Sequence, residues 1–184
     1  MGFFSFLGRA ASMTDLWRNR RSRMMHLSRY TQDVMRGDSP LSQAEREMLA
    51  AYVSGLNQCS YCHGTHVVFA EAHGVPADTL DALLTDIDAA PVDDRLKPIL
   101  RYCRKLTETP HAMVKADAQV VFDAGWPEAA LEDAIHVTAL FALYNRLIDG
   151  HGIVPRDLDT VRQRADFIKT YGFDFTTYPP EYQP

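Results

Sequence analysis

Residues 41–75 carry the helix signals that most restrict how this chain can fold. Ser42 is followed three residues later by Glu45, a capping-box pattern in which each side chain satisfies a free backbone N–H at a helix start. Gly74 is a typical residue just beyond a helix end. The segment is therefore predicted to form a helical hairpin. The first helix has an apolar face formed by Met48, Leu49, Tyr52, Val53 and Leu56.

Two cysteines open the second helix of this hairpin, which is predicted to begin near Cys59 or Ser60. Free N–H groups and the positive end of the helix dipole favour a thiolate there. Cys59, Cys62 and His66 share one helix face, so the thiols could close a disulfide and the imidazole could take a thiol proton. A carboxylate at Glu47, on the preceding helix, would orient the imidazole, but spacing alone does not decide whether it faces His66.

The same residues allow other interpretations. A C-x-x-C pair can be half of a zinc site, but such a site needs two further ligands at suitable spacing, and Cys103 stands alone. We therefore predict neither a metal nor a cofactor, and we expect Cys103 to be a buried, inert thiol. His63 and His73 are expected to be solvated or locally hydrogen-bonded, and His136 to be a core or interface residue.

The spacing of four residues resembles a known family signature. The pattern E-x(11)-C-x-x-C-x-x-x-H is that of the alkyl hydroperoxidase D (AhpD)-like branch of the carboxymuconolactone decarboxylase superfamily, and the chain resembles the peroxidase-related members of that branch. Residues 126–128 and the helix that follows them, 130–153, also resemble the family. One departure is Tyr61, where some members carry a histidine. The signature residues are Glu47, Cys59, Cys62 and His66.

The resemblance implies a thiol-dependent peroxidase that reduces hydrogen peroxide or an organic hydroperoxide and is restored by an external dithiol or thioredoxin-like reductant. It also implies that Cys62 attacks the peroxide, that Cys59 resolves the sulfenic acid, and that His66 and Glu47 relay protons. Helix-dipole reasoning instead favours Cys59 as the attacking thiolate. The alternatives are a cofactor-free carboxymuconolactone decarboxylase-like enzyme and a non-catalytic redox-sensing or interaction protein.

Chain length and net charge further restrict the fold class and the partners that the sequence allows. A chain of 184 residues can form one domain, and no β-alternation is evident, so we predict an all-α, single-domain helical bundle over residues 1–184 that forms a homo-oligomer. The formal net charge of -5 argues against nucleic acid as a partner. No apolar run is long enough to span a membrane, and the first residues make a poor signal peptide, so the cytoplasm is expected.

The rest of the chain is predicted as scaffold. Residues 1–13 form an apolar N-terminal extension expected to pack on the domain or on a neighbouring subunit, and residues 171–184 an extended C-terminal arm. The redox hairpin is 41–75. Further helices are predicted at 14–36, 77–87, 94–109, 115–124, from 127 onwards, and 157–170.

Overall fold

The computed structural model describes residues 2–183, and within them every regular element is helical, as predicted. Three single 3-10 turns lie at Pro110–Ala112, Phe175–Thr177 and Pro180–Tyr182. No helix in this range is long and apolar enough to cross a membrane. The α-helices are α1 (Met13–Asn19), α2 (Arg21–Arg36), α3 (Gln43–Leu56), α4 (Ser60–Ala72), α5 (Thr79–Thr85), α6 (Lys97–Glu108), α7 (Lys115–Asp123), α8 (Glu128–Gly150) and α9 (Leu158–Tyr171).

Helix α3 lies at the centre of the fold. Residues 46–54 are all buried, so this helix has no solvent-facing side over two and a half turns. It packs against α4 and α8 and also contacts α2, α5 and α6. The predicted capping box is present at its start, where the Glu45 N–H donates to Ser42 Oγ at 3.2 Å and the Ser42 N–H donates to Glu45 Oε2 at 2.7 Å.

A tight connection joins α3 to α4. Gln58 adopts a left-handed conformation with φ 59°, which turns the chain within a few residues. The Cys59 N–H then donates to the Ser54 carbonyl at 3.0 Å, and Cys59 becomes the N-cap of α4. The prediction of two cysteines at a helix start is therefore confirmed.

The single helix predicted over 14–36 is wrong, because the chain breaks into α1 and α2 at Arg20. Arg20 has φ -133° and ψ 52°, outside the helical region. The break lets α1 bury Leu16 and Trp17 while α2 follows its own direction. The apolar residues before and after Arg20 both recur at helical spacing. A change of direction at a single residue therefore leaves no mark in the sequence pattern.

The C-terminal residues described are not an extended arm. They pack on their own chain, where the Phe175 ring is fully buried with its centroid 5.0 Å from that of Trp17. The Phe173 N–H donates to Gln32 Oε1 at 2.6 Å, which ties the tail to α2. The aromatic side chains that suggested an arm instead fill the space beside α1, α2 and α9.

The N-terminal extension packs only in part. Leu7 and Ala11 are buried, whereas Phe3 is 74% exposed. The Phe4 ring lies 4.9 Å from the His151 ring, centroid to centroid. This segment therefore contacts its own domain and still leaves apolar rings at the surface.

Removing the Phe175 ring tests the contribution of the tail to stability. Phe175→Ala should lower the free energy of unfolding by about 3–5 kcal/mol, because it leaves a cavity against Trp17. Phe3→Ala is the matched control, with an expected change within about 0.5 kcal/mol for a surface position. Urea unfolding followed by circular dichroism measures both. Equal effects of the two substitutions would contradict the observed packing of the tail.

Candidate active site

A buried carboxylate and an imidazole meet between α3 and α4. Glu47 is fully buried, and its Oε2 lies 2.6 Å from Nδ1 of His66. Because an ionised carboxylate only accepts hydrogen bonds, Nδ1 carries the proton and donates it. The second ring nitrogen of His66, Nε2, is then left for other partners. The packing of α3 on α4 thus settles the question that spacing left open.

Arg36, at the end of α2, completes this arrangement. Its guanidinium donates to Glu47 Oε1 at 2.5 Å, and both side chains are almost completely inaccessible to solvent. The guanidinium also lies over the Phe173 ring, 4.7 Å from its centroid. Arg36 was not predicted from the sequence, where its only local signal is that of a basic residue in the last turn of a helix.

The charge of Glu47 follows from these contacts. Burial by itself would raise its pKa, but the interactions with His66 and with Arg36 outweigh burial, so the pKa lies below its ordinary value. The carboxylate is therefore ionised at neutral pH.

Cys59 and Cys62, at the start of α4, interact directly with each other. Both are buried free thiols, and the Cys62 S–H donates towards the Cys59 sulfur. This hydrogen bond lowers the pKa of Cys59, with a contribution from the Cys62 main-chain N–H at the helix start. The same hydrogen bond, together with burial, raises the pKa of Cys62. The negative charge of a singly deprotonated pair therefore resides on Cys59.

A cavity of about 240 Å³ opens beside the pair. Cys62 and His66 line it, whereas Cys59 does not and lies behind Cys62. The other lining residues are Ser12, Met13, Thr14, Trp17, Thr31, Tyr61, Thr65, Phe69, Phe141, Tyr144, Arg156, Thr160, Val161, Arg164, Ile168 and Phe173.

Two polar residues of α8 reach the cysteines, and neither was identified from the sequence. Asn145 is buried and forms a hydrogen bond that acts to lower the pKa of Cys62. It is held in place by Ser54, whose Oγ accepts from Asn145 Nδ2 at 3.0 Å, and by Asn57. Asp149 lies beside Cys59 and acts to raise its pKa. Nothing in the pattern of α8, an apolar helix, pointed to these contacts.

The remaining sequence candidates lie elsewhere. Cys103 is buried, as expected, and burial raises its pKa to about 11. His63 is locally hydrogen-bonded to the Ala51 carbonyl at 2.9 Å. His136 was predicted to be a core or interface residue, and the core position is wrong, because this residue is exposed and its Nδ1 lies 2.6 Å from the Tyr30 hydroxyl. The interface position stays a prediction. Among residues 2–183 no group of three or more His, Cys, Asp or Glu side chains is placed to hold a metal ion.

The depressed pKa of Glu47 predicts a specific pH dependence of stability. Its ionised form stabilises the folded protein above the ordinary carboxyl pKa of 4.5, and this contribution is lost as the pH falls through the lower folded-state pKa. Glu47→Gln should therefore lower the free energy of unfolding by about 3 kcal/mol at neutral pH, where it leaves Arg36 unpaired, and by less in acid.

Urea unfolding at a series of pH values measures this difference. Glu132→Gln, at an exposed position of α8, is the control and should change stability little at any pH. A difference between wild type and Glu47→Gln that stays constant down to acid pH would contradict the proposed ionisation of Glu47.

Comparison with known proteins matches part of the chain to a family. Residues 24–97, which contain all four signature residues, match the carboxymuconolactone decarboxylase family. No curated protein matches the sequence. The fold is similar to that of an uncharacterized peroxidase-related protein from Silicibacter sp. TM1040, with a TM-score of 0.73 and 26% identity over 78% of this chain and 75% of that one.

A second solved structure gives the same result for the fold. It is the alkylhydroperoxidase AhpD core of an uncharacterized peroxidase-related protein from Ralstonia eutropha JMP134, with a TM-score of 0.73 and 24% identity over 80% of this chain and 76% of that one. Residues 24–97 thus match the carboxymuconolactone decarboxylase family, and the fold around them is similar to that of proteins described as peroxidase-related.

Proposed function

We propose that this protein is a thiol peroxidase that reduces hydroperoxides through Cys62, Cys59, His66 and Glu47. The observation that carries the proposal is the placement of a coupled thiol pair and a carboxylate-bound imidazole at one cavity. A peroxide in that cavity would meet a sulfur nucleophile, a second sulfur behind it, and a group that can hold a proton. These are the parts that a sulfenic acid and disulfide cycle requires.

In the first step, Cys62 attacks the peroxide. The singly deprotonated pair has its thiolate on Cys59, and His66, stabilised by Glu47, holds the proton that the pair has lost. As the Cys62 sulfur bonds to one peroxide oxygen and the O–O bond breaks, the Cys62 proton passes to Cys59. The leaving oxygen takes the proton from His66, so the products are a sulfenic acid on Cys62 and an alcohol or water.

In the second step, the Cys59 thiol condenses with the sulfenic acid. A sulfur–sulfur bond forms between the two cysteines and one molecule of water leaves. The cycle oxidises two thiols and reduces one peroxide bond, so an external dithiol must restore the pair. A thioredoxin-like protein in a reducing compartment such as the cytoplasm would supply those electrons.

Accessibility and acidity favour different cysteines as the nucleophile. The pKa direction favours Cys59, but Cys59 is fully buried and does not border the cavity. We assign the attack to Cys62 because nucleophilic attack requires contact with the peroxide, whereas a proton can move between two hydrogen-bonded sulfurs. Cys59 then acts first as a proton acceptor and afterwards as the resolving thiol.

The proposal includes self-association. Apolar side chains remain exposed at Phe3 and Phe4 of the N-terminal extension and at Leu143 of α8. Exposed apolar side chains of this kind support a homo-oligomer, since association would remove them from water.

A cofactor-free decarboxylase is the second candidate. The family that matches residues 24–97 is described as carboxymuconolactone decarboxylase, and the ionised Glu47 with His66 could move protons without any thiol. Such an enzyme would keep its turnover after both cysteines were replaced. The coupled thiol pair beside the cavity makes the peroxidase the better supported of the two.

Cysteine substitutions test which sulfur attacks. After one molar equivalent of hydroperoxide, Cys59→Ser should retain a sulfenic acid on Cys62, trapped as a dimedone adduct, because no resolving thiol remains. Cys62→Ser should give no adduct on Cys59, and both variants should lose about 1,000-fold or more of dithiol-dependent turnover.

Cys103→Ala is the control for these variants, because this buried thiol lies outside the cavity lining and should not be needed for turnover. An adduct on Cys59 in Cys62→Ser, with none on Cys62 in Cys59→Ser, would reverse the assignment. Stoichiometric oxidation of wild type without turnover under any dithiol would instead indicate a redox-sensing protein.

Replacement of the imidazole tests the proton relay. His66→Asn should lower kcat about 100-fold or more, because proton transfer by a positioned side chain contributes about 10²–10⁴-fold. His136→Asn, at an exposed histidine outside the cavity lining, should leave kcat unchanged. Steady-state peroxide reduction with a dithiol donor measures both. Equal rates for wild type and His66→Asn would remove His66 from the mechanism.

A further inference from the structure

The cavity is larger than the smallest peroxide requires. Its volume is about 240 Å³, whereas an engineered protein cavity of about 150 Å³ accommodates benzene and one water takes about 30 Å³ of liquid. Much of the wall is apolar, with contributions from Trp17, Phe69, Phe141 and Ile168. The space therefore suits an organic hydroperoxide with an aromatic or branched aliphatic body, and not hydrogen peroxide alone.

Two arginines line the same cavity. Arg156 precedes α9 and Arg164 lies on it, and both are half-buried. Neither has a carboxylate partner within ion-pair distance among residues 2–183. The nearby Asp157 caps α9, with its Oδ1 accepting the Thr160 N–H at 2.9 Å. In a chain of formal net charge -5, this cavity thus presents two positive charges with no carboxylate in direct contact among the residues described, although Asp157 interacts with Arg156 at longer range.

Both guanidinium groups are held in place and keep donors available. One Arg156 nitrogen donates to the Ala10 carbonyl at 2.7 Å, and one Arg164 nitrogen lies 3.5 Å from the Tyr178 hydroxyl. Arg164 also lies over the Trp17 ring, 5.4 Å from its centroid. A guanidinium has five N–H donors in a planar fork that matches a carboxylate. Most of these donors have no partner in the described part of the chain.

The arginines and the cysteines are brought to one cavity by the packing of α9 on α4. Helix α4 carries Cys62 and His66, and α9 carries Arg164. Lys169 reinforces this contact, since its Nζ donates to the Ala72 carbonyl at 2.8 Å. A molecule bound between the two helices would contact the sulfur on one and the guanidinium on the other.

From this juxtaposition we infer the substrate class, an inference that builds on the proposed peroxidase function. The preferred substrate is an organic hydroperoxide that carries a carboxylate: its apolar body lies against the aromatic wall, its carboxylate binds Arg156 and Arg164, and its peroxide group meets Cys62. The carboxylate would neutralise charges that are otherwise costly to hold beside an apolar wall. It would also fix the orientation of the peroxide bond.

A binding experiment tests the inference without requiring turnover. Para-isopropylbenzoate and its neutral isostere para-isopropylbenzamide are titrated into the wild-type protein by calorimetry. The carboxylate should bind about tenfold more tightly, as expected for hydrogen bonds to a charged group. Its affinity should fall as salt is added. Equal affinity of the two compounds, or no binding of either, would overturn the inference.

Substitution of the two arginines tests whether they bind the carboxylate of the ligand. Arg164→Gln and Arg156→Gln should each reduce the preference for the carboxylate several-fold, and together they should abolish it. Arg162→Gln is the matched control, because Arg162 lies on α9 but is exposed and pairs with Asp159. Thermal unfolding of each variant checks that it is folded. A carboxylate preference that survives the double substitution would overturn the assignment to these residues.

Turnover separates this inference from the proposed function. The ratio of kcat/KM for para-carboxylated cumene hydroperoxide over cumene hydroperoxide should be about ten in wild type and near one in the double variant. Reduction of both compounds at equal efficiency would sustain the peroxidase and refute the substrate class. Carboxylate binding without reduction of either hydroperoxide would refute the peroxidase and leave carboxylate recognition in place.

Discussion

The structure depends on a carboxylate placed where no water reaches it. An ionised Glu47 in the middle of the most buried helix would be prohibitively costly unless other charged groups faced it. Arg36 and His66 meet this requirement from two different helices, one on each carboxylate oxygen. The end of α2, the middle of α3 and the middle of α4 are therefore fixed relative to one another by a single group. The same contacts that make this burial tolerable also orient the imidazole, so the stabilising interaction and the proposed chemistry are inseparable.

The thiol pair lies on the same helix as His66, with Cys62 about one turn closer to the helix start. Cys59, at the N-cap of α4, receives the hydrogen bond of the Cys62 thiol, and the two sulfurs thereby differ in acidity although they are the same kind of group. The less acidic sulfur is the one that borders the cavity. Cys59 is thus the more acidic thiol and Cys62 the accessible one, and the hydrogen bond from Cys62 to Cys59 allows a proton to pass between them.

Local signals in the sequence were sufficient for the elements that carry the chemistry. The Ser42–Glu45 capping box and the start of α4 near Cys59 were predicted because short-range backbone and side-chain contacts define them. The roles of Arg36 and Asn145 were not predictable, because each reaches its partner across helices and has no signature along the chain. The break at Arg20 and the docking of the tail were missed for a related reason. Both are decided by where Trp17 and Phe175 find a common apolar space, which is a property of the packed fold and not of either segment.

The proposed catalytic groups and the cavity wall come from different parts of the chain. All four signature residues lie within 24–97, the segment that matches the family, and Arg36 lies there too. Much of the cavity wall comes from outside that segment: Trp17 from α1, Phe141 from α8, Arg164 from α9 and Phe173 from the tail. Phe173 belongs to both parts, since it lines the cavity and packs under the Arg36 guanidinium. The groups of the proposed reaction thus lie in a compact hairpin and one arginine, whereas much of the cavity wall is supplied by other segments, which contact the first set through Phe173.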